Sequence, residues 1–195
     1  MNLLLKNSSG MALIPMDTRL LMDRVILLNG EIRAETADEF AKEMIYLARE
    51  DREKPVTVLI DSIGGEINAG MLIYDAIHTS GLQVRTICTG KAYSMAAVVL
   101  ACGNHGRYIL PHSEVLIHEP LLGNQISGST SSLKSISDKL TDVKKQINRI
   151  LALHTGKTEE EVDQATGYDH YLTAEESVAF GLCDKVTDFD VIWKE

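Results

Sequence analysis

Cysteine is scarce in this sequence and poorly spaced for chemistry. Cys88, Cys102 and Cys183 each sit in an apolar stretch, and none forms a Cys-x-x-Cys pair. A structural zinc site wants four closely placed nitrogen or sulfur ligands, so no metal is expected. Reduced, buried thiols are the simpler reading. Runs of positive charge are missing too. The formal net charge is -9 and the 19 lysines and arginines are scattered, which argues against a surface for nucleic acid or anionic membrane. No apolar run approaches the ~20 residues needed to span a bilayer. Leu3-Leu-Leu5 is too short for a signal-peptide core of about 7–15 residues, so a cytoplasmic protein is expected. Gly64-Gly65 follows a strand-like run, but no Gly-x-Gly-x-x-Gly or Gly-Lys-Ser/Thr accompanies it. Nucleotide binding lacks its loop, and no cofactor is expected.

Apolar residues make up 45% of the 195, enough for one core. Residues 1–18 are punctuated by Gly, Ser and Pro and read as an extension or loop. Arg24 to Gly30 reads as a short buried strand ending at a turn. Thr36-Ala-Asp-Glu39 has capping-box spacing, with a helix to about Arg52 placing Phe40, Met44, Ile45 and Ala48 on one face. Pro55 to Asp61 is a second strand, followed by a tight turn at Gly64-Gly65. Ile67 to Thr79 has helical spacing. Val84 to Thr89 is a third strand, ended by Gly90, and Ser94 to Cys102 is small and apolar enough for a buried helix. Val115 to His118 is a strand stopped by Pro120. Gly123 to Ser137 is expected to be mobile at its start, and Leu133 to His154 to form a long amphipathic helix. Thr158-Glu161 and Thr173-Glu176 are further capping boxes. Gly181 caps the last helix, and Leu182 to Val186 is the last strand. Strands alternating with helices predict an α/β fold.

Most acidic residues cluster at helix starts, where they complement the helix dipole. Ser94 follows a strand and a short turn and opens an apolar helix. Its simplest role is an N-cap. A nucleophile there would have unpaired backbone N–H groups beside it to receive an oxyanion. His118 ends a strand and reads most simply as bonded to a backbone carbonyl. Asp169, in Tyr168-Asp-His-Tyr171, reads as a turn or capping aspartate. Nothing local links the three.

Several stretches in order change this reading: Ile60-Asp-Ser-Ile-Gly-Gly65 with Ala69-Gly-Met-Leu-Ile-Tyr-Asp75, then Thr86 through Ala97, then Leu110-Pro-His-Ser113 running into Leu116-Ile-His-Glu-Pro120. Asn148-Arg-Ile-Leu151, His154-Thr-Gly156 and Tyr171-Leu-Thr-Ala-Glu-Glu176 extend them. They resemble ClpP, the proteolytic-subunit family of the Clp protease, from roughly residue 18 to the C-terminus. The resemblance implies a serine endopeptidase with Ser94 as nucleophile, His118 as base and Asp169 as its partner. Gly65 and Met95 match the residues whose backbone N–H groups form the oxyanion hole. It implies a crotonase-like α/β fold of stacked β-β-α units with a protruding long handle helix. Residues 1–18 would be an N-terminal segment, an axial loop or extension, and 19–195 one peptidase domain with its handle region at about 122–154. It further implies two stacked heptameric rings, or mixed rings with another ClpP, fed with unfolded chains by an AAA+ unfoldase ATPase of the ClpX or ClpC/ClpA type. The Ser–His–Asp chain order and the absence of Gly-x-Ser-x-Gly count against an esterase or lipase.

The sequence departs from the family pattern at Ile63, where proline is usual, and at Glu119, where glutamine is usual. Leu121-Leu122-Gly123 stands in place of a glycine pair after the proline. Gly167-Tyr168 replaces an acidic–basic pair that helps rings interact. These departures suggest a divergent second paralogue that assembles weakly alone or joins mixed rings. Two other readings compete: a catalytically weak or structural subunit of such a ring, and an acyl-CoA hydratase or isomerase of the same superfold.

Overall fold

The computed structural model describes residues 1–7, 10–123 and 127–193. Strands β1 (Asn2–Asn7) and β2 (Gly10–Pro15) pair antiparallel, Asn2 opposite Pro15 and Asn7 opposite Gly10. The stretch expected to be loop or extension therefore carries a two-stranded ribbon. It leads directly into α1 (Met16–Met22).

The main sheet is built from β3 (Val25–Ile32), β4 (Val56–Gly65), β5 (Val84–Tyr93), β6 (Arg107–Ile109) and β9 (Lys185–Val186), all parallel. Helices α2 (Ala34–Glu50), α3 (Ile67–His78) and α4 (Met95–Ala101) connect or follow its strands. The long β5 serves two neighbours. Thr86 to Cys88 pair with β6, whereas Lys91 to Tyr93 pair with β7 (Glu114–Ile117). On its other edge β7 takes β8 (His170–Leu172), antiparallel. The sheet thus branches at the middle of β5.

Gly90 was expected to end β5 but stands at this branch inside the strand. A Cβ there would meet the Asp61 carboxylate at 2.6 Å, and the Lys91 N–H donates to that carboxylate at 3.2 Å. Gly64-Gly65, expected as a turn, continues β4. Gly65 has φ 152°, and a Cβ on it would fall 2.1 Å from the Ile32 carbonyl oxygen. On Gly64, with φ 78°, it would fall 2.4 Å from the Tyr93 carbonyl oxygen. These glycines let the end of β4 pass between β3 and the exit of β5.

Every residue of α4 is buried. Its alanines let it approach β4, β5 and α3 closely. Val99 and Leu100 are fully buried, which stabilises the fold by about 1.5–3 kcal/mol each. On α2 the core face is Ala37, Phe40, Met44 and Leu47, while Ile45 points to solvent. The Thr36 capping box does not form, because α2 starts at Ala34 after Arg33. The Thr36 hydroxyl donates instead to the Glu31 carbonyl at 3.2 Å.

Helix α5 (Thr130–Thr155) runs 26 residues, capped by Ser129 at one end and by Gly156, with φ 72°, at the other. Only Ile147, Asn148 and Leu151 are buried, so its N-terminal half stands clear of the core as the expected handle. The expected mobility before it falls partly on residues 124–126, outside the described residues. Helices α6 (Glu159–Thr166) and α7 (Ala174–Phe180) both open with the expected reciprocal capping boxes. Arg107 ties this end together: its guanidinium donates to the carbonyls of His154 and Gly181 at 2.8 and 2.7 Å and pairs with Asp184 at 2.5 Å.

Candidate active site

Ser94 joins β5 to α4 in a left-handed backbone conformation, φ 56° and ψ −121°. A non-glycine residue held there costs about 1–3 kcal/mol and persists only where its surroundings fix it. Here the Ser94 N–H donates to the Leu116 carbonyl of β7 at 2.8 Å, and its carbonyl accepts from the Ala97 N–H at 3.0 Å. The side chain makes no cap bond to α4. The N-cap reading fails because a cap needs extended backbone and a hydroxyl turned onto the next turn. The Ser94 Oγ lies instead 2.9 Å from His118 Nε2.

The strand pairing brings in the other two residues. On β7 and β8, Val115 faces Leu172, Leu116 faces Tyr171 and Ile117 faces His170. One step further, His118 faces Asp169. His118 Nδ1 is 3.0 Å from Asp169 Oδ1. One tautomer satisfies both contacts: Nδ1–H donates to the aspartate and Nε2 accepts from the serine hydroxyl. The His118 side chain is 16% exposed and that of Asp169 62%. The carboxylate therefore meets water on one side and the imidazole on the other.

Ser94 and His118 lie in a cleft of about 250 Å³, which Gly65 and Met95 also line. Met95 is the first residue of α4, where backbone N–H groups have no partner within the helix. The rest of the lining is mainly apolar. Ile147 and Leu151 enter it from the buried part of α5, and Ile63 and Leu121 stand at its exposed rim. Four of the five residues singled out from the sequence thus line one cleft, and the fifth, Asp169, touches it through His118.

Residues 8–190 match the family model described as Clp protease. This chain belongs to the Clp protease family.

Its departures from the Clp protease pattern fall close to the site. Glu119, beside His118, does not stand as a free negative charge. Lys144 of α5 reaches it at 3.0 Å and reaches Asp163 of α6 at 2.9 Å. Hydrogen bonds to both carboxylates hold the Lys144 ammonium above its usual range, Asp163 contributing most, and the Asp163 carboxyl is lowered in return. Asn148 also donates to Asp163, and the Glu119 N–H donates to the Thr166 carbonyl at 2.8 Å. These bonds fasten the segment after His118 to the helices that precede Asp169.

Other groups at the site were not legible in the sequence. Tyr93 lines the cleft, donates its hydroxyl to Glu114, and meets the Tyr171 ring edge-on. The Glu114 bond holds the Tyr93 hydroxyl up at about 12. Alternation along single strands gives no hint of such cross-strand pairs. The three cysteines are buried and unpaired as expected. Burial pushes Cys88 and Cys102 up to about 12 and Cys183 higher still, so none supplies a thiolate at neutral pH. Among the described residues no His, Cys, Asp or Glu cluster is arranged to hold a metal ion, and no helix is long and apolar enough to cross a membrane.

Proposed function

We propose that this chain is the proteolytic subunit of an ATP-dependent Clp protease, a serine endopeptidase using Ser94, His118 and Asp169. One observation carries the reading: an unbroken chain of contacts from Ser94 Oγ through His118 to Asp169, at 2.9 and 3.0 Å, opening on an apolar cleft. A serine that merely capped α4 would have no need of a histidine so placed.

The chemistry follows from the geometry. Ser94 Oγ attacks a peptide carbonyl carbon while His118 Nε2 takes its proton. Asp169 keeps the imidazole in the right tautomer and stabilises the imidazolium. The carbonyl oxygen gathers negative charge, and the backbone N–H groups of Gly65 and Met95 receive it. Losing one such donor typically costs about 10²–10³ in rate. The imidazolium then protonates the leaving amine and the C–N bond breaks. A water molecule, deprotonated by His118, attacks the acyl-enzyme and frees Ser94. The apolar cleft suits side chains that only an unfolded chain exposes.

Family membership supports an oligomer working with an ATPase. The expected form is two stacked heptameric rings, or mixed rings with another ClpP. An AAA+ partner of the ClpX or ClpC/ClpA type would supply the ATP hydrolysis, in the cytoplasm. Fluorophosphonate labelling tests the nucleophile: it is expected on the purified chain and absent from Ser94→Ala. Equal labelling of both refutes the assignment. A second reading, a catalytically weak subunit of a mixed ring, is favoured by the open setting of Asp169 beside Gly167-Tyr168. Wild-type chain that stays unlabelled alone and in the presence of a paralogue would favour it.

A further inference from the structure

The strands that carry Ser94, His118 and Asp169 are joined by a second set of side chains, and no backbone bond requires it. Tyr93 is the last residue of β5, directly before Ser94. Glu114 opens β7, the strand that ends beside His118, and Tyr171 lies in the middle of β8, two residues after Asp169. The Tyr93 hydroxyl donates to a Glu114 carboxylate oxygen. Its ring meets the Tyr171 ring edge-on, with centroids 5.8 Å apart and planes at 90°, a favourable aromatic geometry. Registers align the three strands at this level, Tyr93 opposite Leu116 and Leu116 opposite Tyr171.

We propose that Tyr93, clasped by Glu114 and Tyr171, is a positioning residue that holds Ser94 in its attacking conformation. The reason is mechanical. Ser94 is in the left-handed region, which its own side chain does not favour. Its backbone bonds to Leu116 and Ala97 fix the N–H and the carbonyl oxygen. Each bond holds the peptide unit on one side of Ser94 at a single atom, which leaves room for a second point of restraint from the Tyr93 side. Anchoring the far end of the Tyr93 side chain on β7 and β8 supplies that restraint. It also ties the nucleophile's strand to the two strands that present His118 and Asp169. A shift of about 1 Å at a reacting atom is enough to cost about 10²-fold, so a modest loosening is visible in the rate.

The inference rests on Ser94 being the nucleophile, and the test separates the two ideas. Full-length wild type, Tyr93→Phe, Glu114→Ala, Glu114→Gln and Tyr93→Phe/Glu114→Ala are compared at matched oligomeric state. The rate constant for phosphonylation by a small fluorophosphonate, which fills no side-chain subsite and loses fluoride to the serine oxygen, is measured with kcat and KM for a fluorogenic peptide. Thermal unfolding midpoints are recorded alongside. Losing the hydroxyl bond in Tyr93→Phe is expected to lower the phosphonylation rate and kcat about tenfold with KM unchanged. Glu114→Ala should do the same, and the double variant should be no worse than either single one. Glu114→Gln, which keeps an acceptor oxygen, should recover most of the rate. Phosphonylation at the wild-type rate in Tyr93→Phe, additive losses in the double variant, or losses that merely track the unfolding midpoint overturn the clasp alone. Wild type labelled no differently from Ser94→Ala overturns the nucleophile assignment, and the clasp's role falls with it.

Discussion

At the scale of single residues, the site joins one strained group to two relaxed ones. Ser94 is held at positive φ by bonds to two elements, whereas His118 and Asp169 simply continue the register of an antiparallel pair. Asp169 is mostly in water, so solvent screens its attraction for the imidazolium. On the proposed mechanism its main service is therefore to hold the tautomer. Asp169→Asn offers Nδ1 a donor where it needs an acceptor. We expect kcat for peptide hydrolysis to fall by more than ~10², yet by less than the ~10⁴ recorded for a buried aspartate, with KM unchanged. Steady-state kinetics on the purified variant checks this, and a kcat within threefold of wild type would refute it. Composition and spacing left each of these residues with a duller explanation: a cap, a strand end, a turn. Only their flanking motifs, taken in order, singled them out. Tyr93, Glu114 and Tyr171 stayed hidden because their meeting depends on the register of three strands distant in sequence.

At the scale of elements, local signals were legible wherever the structure is local. Thr158 and Thr173 cap as their spacing predicts, because a capping box is closed within four residues. Thr36 has the same spacing and fails, because its helix begins at Ala34, three residues earlier than that spacing predicts. Gly64, Gly65 and Gly90 read as stops, yet they mark close approaches between continuing strands. Strands β6 and β8 are three residues each and carry too little alternation to be read. The α1–α2 face holds a further consequence. Glu43 of α2 lies half-buried near Glu39 and near Asp17 of α1. Burial first, then those two carboxylates, raise it from 4.5 to about 7. A carboxyl raised in the folded state binds its proton more tightly there than in the unfolded chain. The stability it confers is full below about 4.5 and is lost as pH rises through about 7, following the proton-linkage slope. Glu43→Gln removes this loss. The unfolding midpoint of wild type should fall more steeply than that of the variant across this window. Parallel curves would contradict it.

At the scale of the whole molecule, the apolar cleft, the core and the handle are one construction, because the buried residues of α5 also line the cleft. The remaining length of α5 carries exposed Leu133 and a row of charged residues with little of this chain to rest on. We propose that its partner is another subunit of a Clp oligomer. Departures at Ile63 and at Gly167-Tyr168 lead us to expect weak self-assembly. Light scattering of the purified chain should give a mass well below that of a double ring, with peptide hydrolysis rising when another ClpP is added. A stable double ring that is active alone would disprove this.

The closing of β8 against β7 also has a consequence in time. His118 and Asp169 are 51 residues apart in the chain, and α5 and α6 lie between them. At ~5–20 residues per second, a ribosome needs roughly 3–10 s to pass from one to the other. Through that interval the nascent chain already carries Ser94 and His118 but lacks Asp169, which on the proposed mechanism sets the tautomer. On the proposed mechanism the order of synthesis acts as a built-in delay, because the site is completed only after α5 and α6 have been made.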